Sequence, residues 1–115
     1  MEKENILSGL AALAQETRLD IFRLLVAEGP AGMAAGDVGA RLGLPAATLS
    51  FHLKELRRAR LVTCRRAGRS LIYAADFATM RGLVGYLTEN CCRSGCRTPA
   101  MTAGPAMAAG KEPEA

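Results

Sequence analysis

Tryptophan is absent from these 115 residues, and only three Phe, two Tyr and one His are present. With so few rings the interior has to be aliphatic, assembled from Leu, Val, Ile, Ala and Met. Long apolar runs are missing as well: no stretch reaches the roughly 18 apolar residues that a membrane span requires. The opening Met1-Glu2-Lys3-Glu4-Asn5 is charged and has no apolar signal core behind it. The expectation is a cytoplasmic protein with no membrane partner, in a compartment that keeps thiols reduced.

What is present is unevenly distributed. The net charge is +4, yet residues 1–40 hold 3 basic and 6 acidic side chains, residues 41–70 hold 8 and 1, and residues 71–115 hold 4 of each. A thirty-residue segment at +7 is a surface for a polyanion, or else a solvated face whose charge is arbitrary. The length fits one domain, read here as residues 1–97, followed by an Ala/Gly/Pro/Thr-rich stretch without period, 98–115, expected to be a disordered tail.

Hydrophobic spacing organises the rest. Ile6, Leu7, Leu10, Leu13 and Ala14 recur with helical period, and Leu19, Phe22, Leu25 and Val26 give a second helix with Thr17 as its cap. Gly29-Pro30-Ala31-Gly32 ends it. Gly36 to Gly43 is a short helix, Leu44-Pro45 a turn, and Ala46 to Ala59 a further helix with Leu49, Leu53 and Leu56 inward and Ser50, Lys54, Arg57 and Arg58 outward. Leu61–Arg66 and Arg69–Ala74 then read as two strands joined at Ala67-Gly68. Asp76 is positioned to cap a last helix with the stripe Phe77, Met80, Leu83, Val84 and Leu87. The fold class is therefore mainly α with a small β-hairpin: a winged helix-turn-helix.

A helix of this kind enters the major groove with its N-terminal residues against base edges. The DNA-facing candidates are Ala46, Thr48, Ser50, Phe51 and His52, with Lys54, Arg57 and Arg58 for phosphates and Arg65, Arg66 and Arg69 on the wing. His52 stands at the edge of the inward face, and a packed or backbone-bonded histidine is favoured for it over a direct base contact. The segment Leu49-Ser50-Phe51-His52-Leu53-Lys54-Glu55-Leu56, with Leu61-Val62, Arg66-Ala67-Gly68-Arg69 and Tyr73 after it and Arg18-Leu19-Asp20-Ile21-Phe22-Arg23-Leu24-Leu25 before it, resembles the ArsR–SmtB family of metal-sensing repressors. The resemblance covers about residues 6–92. It implies a dimeric repressor on palindromic double-stranded operator DNA, released by an effector. Two departures stand out: no cysteine pair lies between Gly36 and Leu56, and positions 46 and 47 are both Ala.

Three of the four cysteines, Cys91, Cys92 and Cys96, fall in the run Asn90-Cys91-Cys92-Arg93-Ser94-Gly95-Cys96, and the resemblance there is to arsenic repressors with C-terminal cysteines. Soft thiolates packed this closely enclose a soft ion. Trivalent arsenic takes three ligands on one side of its lone pair, whereas zinc prefers four in a tetrahedron. Three sulfurs without a fourth donor favour As(III), or Sb(III), over zinc as inducer, with cadmium and lead as the alternatives. Arg93 and Arg97 favour deprotonation of the thiols. Alternatives are an incidental tail, or a redox switch in which Cys91 or Cys92 pairs with Cys96. Cys64, alternating with Val62, reads as a small packed residue. No glycine-rich anion loop surrounds any cysteine, which argues against an enzyme such as a thiol-based arsenate reductase. The stripe of Met80, Leu83, Val84 and Leu87, running in line with Cys91, together with Ile6, Leu10 and Leu13, is the expected seam of a homodimer. Distorting its end by metalloid binding would shift the two reading helices.

Overall fold

The computed structural model describes residues 1–92. Its elements are α1 (Lys3–Leu13), α2 (Glu16–Glu28), β1 (Met33–Ala34), α3 (Ala35–Leu42), α4 (Ala46–Arg58), β2 (Val62–Ala67), β3 (Ser70–Ala75) and α5 (Phe77–Thr88). Cys96, Arg93, Arg97 and the 98–115 tail lie outside the described residues. The core is aliphatic, as the shortage of rings requires: Ile21, Leu25, Val38, Leu53, Leu56 and Leu61 are its fully buried members. They come from α2, α3, α4 and the link after α4, so the helix-turn-helix is welded to the body of the protein.

Local chemistry fixes each boundary. The start of α2 is capped by Gln15, whose Oε1 accepts from the Arg18 N–H at 2.8 Å, and Thr17 lies inside the first turn. An amide oxygen one residue outside the helix does the work expected of the hydroxyl. Gly43 closes α3 in the left-handed conformation (φ 67°), which a residue without Cβ adopts at little cost. Pro45 then takes φ −63°, ψ 151° as N-cap of α4, one position earlier than a first-turn proline. Leu61 drops into the core because its N–H donates back to the Leu56 carbonyl at 3.0 Å, with Arg60 left-handed (φ 65°).

The hairpin is joined at Gly68-Arg69, one residue later than the sequence reading, with Ala67 opposite Ser70 and Cys64 opposite Tyr73. A third strand joins it: Met33 pairs with Tyr73 and Ala34 with Ile72, giving an antiparallel sheet in the order β1-β3-β2. Gly32 admits this strand. Its φ is 76°, and a Cβ there would stand 2.5 Å from the Tyr73 carbonyl oxygen. Asp76 caps α5, its Oδ1 accepting from the Thr79 N–H at 3.0 Å.

At its other end α5 stops at Thr88, whose hydroxyl donates to the Val84 carbonyl at 2.9 Å. Glu89 is extended (φ −56°, ψ 132°), and Asn90 and Cys92 have φ of 66° and 58°. The helical line from Met80 through Val84 and Leu87 therefore does not continue to Cys91. Two further residues expected on the dimer seam, Ile6 and Leu83, lie 2% and 7% exposed within the single chain, because α1 and α5 close over the same core that α2 and α4 build. Leu7 and Leu10 on α1, Leu19 on α2, and Val84 and Leu87 on α5 leave apolar side chains exposed. Leu13 and Met80 are half-buried, in one groove with Leu19 and Val84.

Candidate nucleic-acid interface and thiol turn

Leu49, Leu53 and Leu56 anchor α4 from one side, so the residues opposite them face solvent. Ala46, Thr48, Ser50, Phe51, Lys54, Arg57 and Arg58 are all exposed, as is Ala47. Ser50, Lys54, Arg57 and Arg58 surround a shallow depression of about 430 Å³ that has Tyr73 in its wall. Three cations around one concavity suit a phosphate oxygen, with the hydroxyl of Ser50 as a neutral donor. Arg58 is tied to Glu55 by a 3.8 Å contact on an open surface, a pairing weak enough to exchange for a phosphate.

Tyr73 belongs to this site although it was not among the candidates. Alternation along the strands puts it on one face with Cys64 and Arg66, against the α4 side. Burial raises its phenol pKa, and the adjoining Cys64 adds to the shift by a side-chain hydrogen bond, while Arg57 opposes it. The ring is thus a neutral wall under a cationic rim. The signal available in the sequence was its register opposite Cys64, which needs the hairpin turn placed to the residue.

Two of the DNA-facing candidates are turned away from that surface. His52 takes the packed reading favoured for it and is buried rather than groove-facing: it lies between the inward leucines, and the Arg18 guanidinium donates to its Nδ1 at 3.3 Å. An arginine offers only donors, so the ring proton sits on Nε2. Burial lowers the pKa of His52, Arg18 lowers it further, and Glu55 pulls the other way. Arg18 also donates through Nε to the Ala12 carbonyl at 2.8 Å, joining the end of α1, the start of α2 and the reading helix. Arg65 alternates onto the sheet face away from Tyr73 and donates to the Ala31 carbonyl at 3.0 Å, which gives it a role in holding the loop before β1. Arg66 and Arg69 remain exposed on the wing and its turn.

The vicinal thiols stand just beyond α5. Cys91 Sγ and Cys92 Sγ are 3.5 Å apart, well beyond a disulfide bond of about 2.05 Å. Adjacent residues on an α-helix diverge by about 100°, so this approach depends on the left-handed backbone of Asn90 and Cys92. Two sulfurs each about 2.3 Å from a shared ion, at an angle near 100°, would be about 3.5 Å apart. The pair therefore fits two positions of a soft-ion site. Among the described residues no third His, Cys, Asp or Glu joins them, and Cys64 lies in the wing.

Residues 13–65 match the family described as "Helix-turn-helix domain". The chain is 34% identical to nodulation protein NolR of Rhizobium meliloti over 80 residues, a match spanning 70% of this chain and 63% of NolR. The structure of HlyU from Vibrio cholerae N16961 superposes with a TM-score of 0.63 at 30% identity, covering 80% of this chain and 99% of that one. The homodimeric winged helix-turn-helix DNA-binding domain Mb0332 from Mycobacterium bovis, a possible ArsR-family regulator, gives 0.60 at 26% identity, covering 83% and 88%. Fold and relatives together define a winged helix-turn-helix transcriptional regulator, not an enzyme. Within that class the chain belongs to the ArsR–SmtB family. Among the described residues no helix is long and apolar enough to cross a membrane.

Proposed function

We propose that this protein is a homodimeric repressor that holds operator DNA and lets go when Cys91, Cys92 and Cys96 take up arsenite or antimonite. The observation that carries this reading is the 3.5 Å approach of the two vicinal sulfurs, held by a turn that no helix would produce. Cys96 would complete a three-sulfur pyramid. The dimer is supported by the exposed apolar side chains of Leu7 and Leu10 on α1 and Val84 and Leu87 on α5, of which Leu7 and Leu87 are each 58% exposed. Val84 also lines an apolar groove of about 480 Å³ with Leu13, Leu19, Phe22 and Met80. Covering such side chains with a second copy is worth roughly 1 kcal/mol apiece. Mb0332 is a homodimer by its own description, and a helix-turn-helix dimer meets two half-sites with its two reading helices.

The thiol turn follows directly on the helix that carries Val84 and Leu87. Closing sulfurs around one ion fixes residues 89–92, which pulls on the end of α5 and hence on the seam. Half-sites one helical turn apart tolerate little change in that spacing. A coupling of about 1–3 kcal/mol lowers operator affinity about 5- to 150-fold.

The test is fluorescence anisotropy of labelled operator DNA titrated with reduced protein, with and without arsenite. Cys91→Ser, Cys92→Ser and Cys96→Ser should bind DNA as the unmodified chain does and ignore arsenite, and a thiolate-to-arsenic absorption band should be missing from each. Release of DNA from all three variants would overturn the thiol assignment. Release by peroxide alone, reversed by reductant, would select the redox switch instead.

A further inference from the structure

We infer that Phe51, with Ala47 beside it, reads thymine methyl groups in the major groove, so that the operator half-site carries a thymine opposite the first two turns of α4. This rests on the operator-binding reading above and adds the chemistry of its specificity. Ala47, Phe51, Lys54 and Arg58 follow one another at i, i+4, i+7 and i+11, on the side of α4 opposite Leu49, Leu53 and Leu56. The front of this row is apolar and the back is cationic.

Phe51 is 55% exposed, an uncommon position for a large ring on a face built to meet a polyanion. It is also held in place. Its ring meets that of His52 edge-on at a centroid distance of 5.3 Å, and His52 is in turn fixed by Arg18. A ring braced in this way loses little freedom on binding.

The residues around it narrow what it can recognise. From Ala46 to Phe51 the helix offers no Arg, Lys, Asn, Gln, Asp or Glu. The bidentate pairings that distinguish guanine, adenine and cytosine are therefore missing from the part of the helix that reaches deepest. Thr48 and Ser50 supply single hydroxyls. The one apolar group that B-DNA presents in the major groove is the 5-methyl of thymine, and Ala and Phe are among the side chains that contact it. A protein partner is disfavoured by the charge: residues 41–70 hold 8 basic side chains against 1 acidic.

The experiment selects bound duplexes from a random library with the full chain. It then measures affinity by anisotropy at fixed salt with individual thymines replaced by uracil, which removes only the methyl. The unmodified protein should lose about fourfold at one thymine in each half-site, the change expected for one methyl-sized group. Phe51→Ala should bind the thymine and uracil duplexes equally, and Phe51→Leu should retain part of the discrimination; circular dichroism establishes that both variants are folded. Uracil tolerated at every position, or unchanged discrimination in Phe51→Ala, would overturn the assignment. A library with no enriched sequence would instead overturn operator binding itself.

Discussion

The reading helix sends Leu49, Leu53 and Leu56 into a core where none is more than 4% exposed, and it is tied across α1 and α2 by the Arg18–His52 contact. The turn after α5 is built differently. None of residues 89–92 belongs to the buried core, and the Cys91 N–H bond to the Thr88 carbonyl at 2.9 Å is local. The reading surface is thus specified by packing, and the thiol turn by backbone conformation. A recognition element has to hold its shape before DNA arrives, and close packing gives it that rigidity. The proposed thiol site has to change when its ligand arrives, and a segment outside the packed core opens at little cost.

The contrast would break first at Leu56. Leu56→Ala leaves a cavity where the side chain is fully buried, and should cost about 2–5 kcal/mol in urea unfolding. A loss below about 1 kcal/mol would mean that packing does not hold the reading helix. Asp76→Ala should cost about 1 kcal/mol by the same measurement, since it removes one N-terminal bond while the rest of α5 stays docked through Leu83. The smallest effect is at His52. Its folded pKa lies below the ordinary 6.5, so the folded chain binds its proton less readily than the unfolded one. Its contribution is therefore complete above about pH 6.5, declines as pH falls through the window below that value, and levels off beneath the folded pKa. Comparing unfolding of the unmodified chain and His52→Gln between pH 7 and 5 should show a steeper acid loss in the former. Parallel curves would detach the histidine from the stability of the reading half.

Periodicity carried most of the fold. The apolar spacing of Leu49, Leu53 and Leu56, the glycine after Leu42 and the carboxylate at Asp76 each identified an element or its end because each has a local physical cause. The strand Met33–Ala34 left no trace, since two residues display no alternation and their pairing depends on Tyr73 some forty positions away. Ile6 and Leu83 fit an apolar stripe, but a stripe does not say whether its cover is the same chain or another. His52 is adjacent to the exposed Phe51 in sequence and about 100° away in space, enough to move it from surface to core. Arg65 and Arg66 were grouped by charge, and the strand's period of two separates them onto opposite faces. At the thiols, the sequence supplied the residue types, while the positive φ angles that bring two sulfurs together came only from the structure.

Because α5 is finished at Thr88, before either vicinal cysteine, the thiol turn is appended to the helix-turn-helix without being woven into it. On the proposed reading, descendants of such a chain can exchange one chemical signal for another by rewriting a handful of positions beyond α5, and keep obeying the same promoters while they do so.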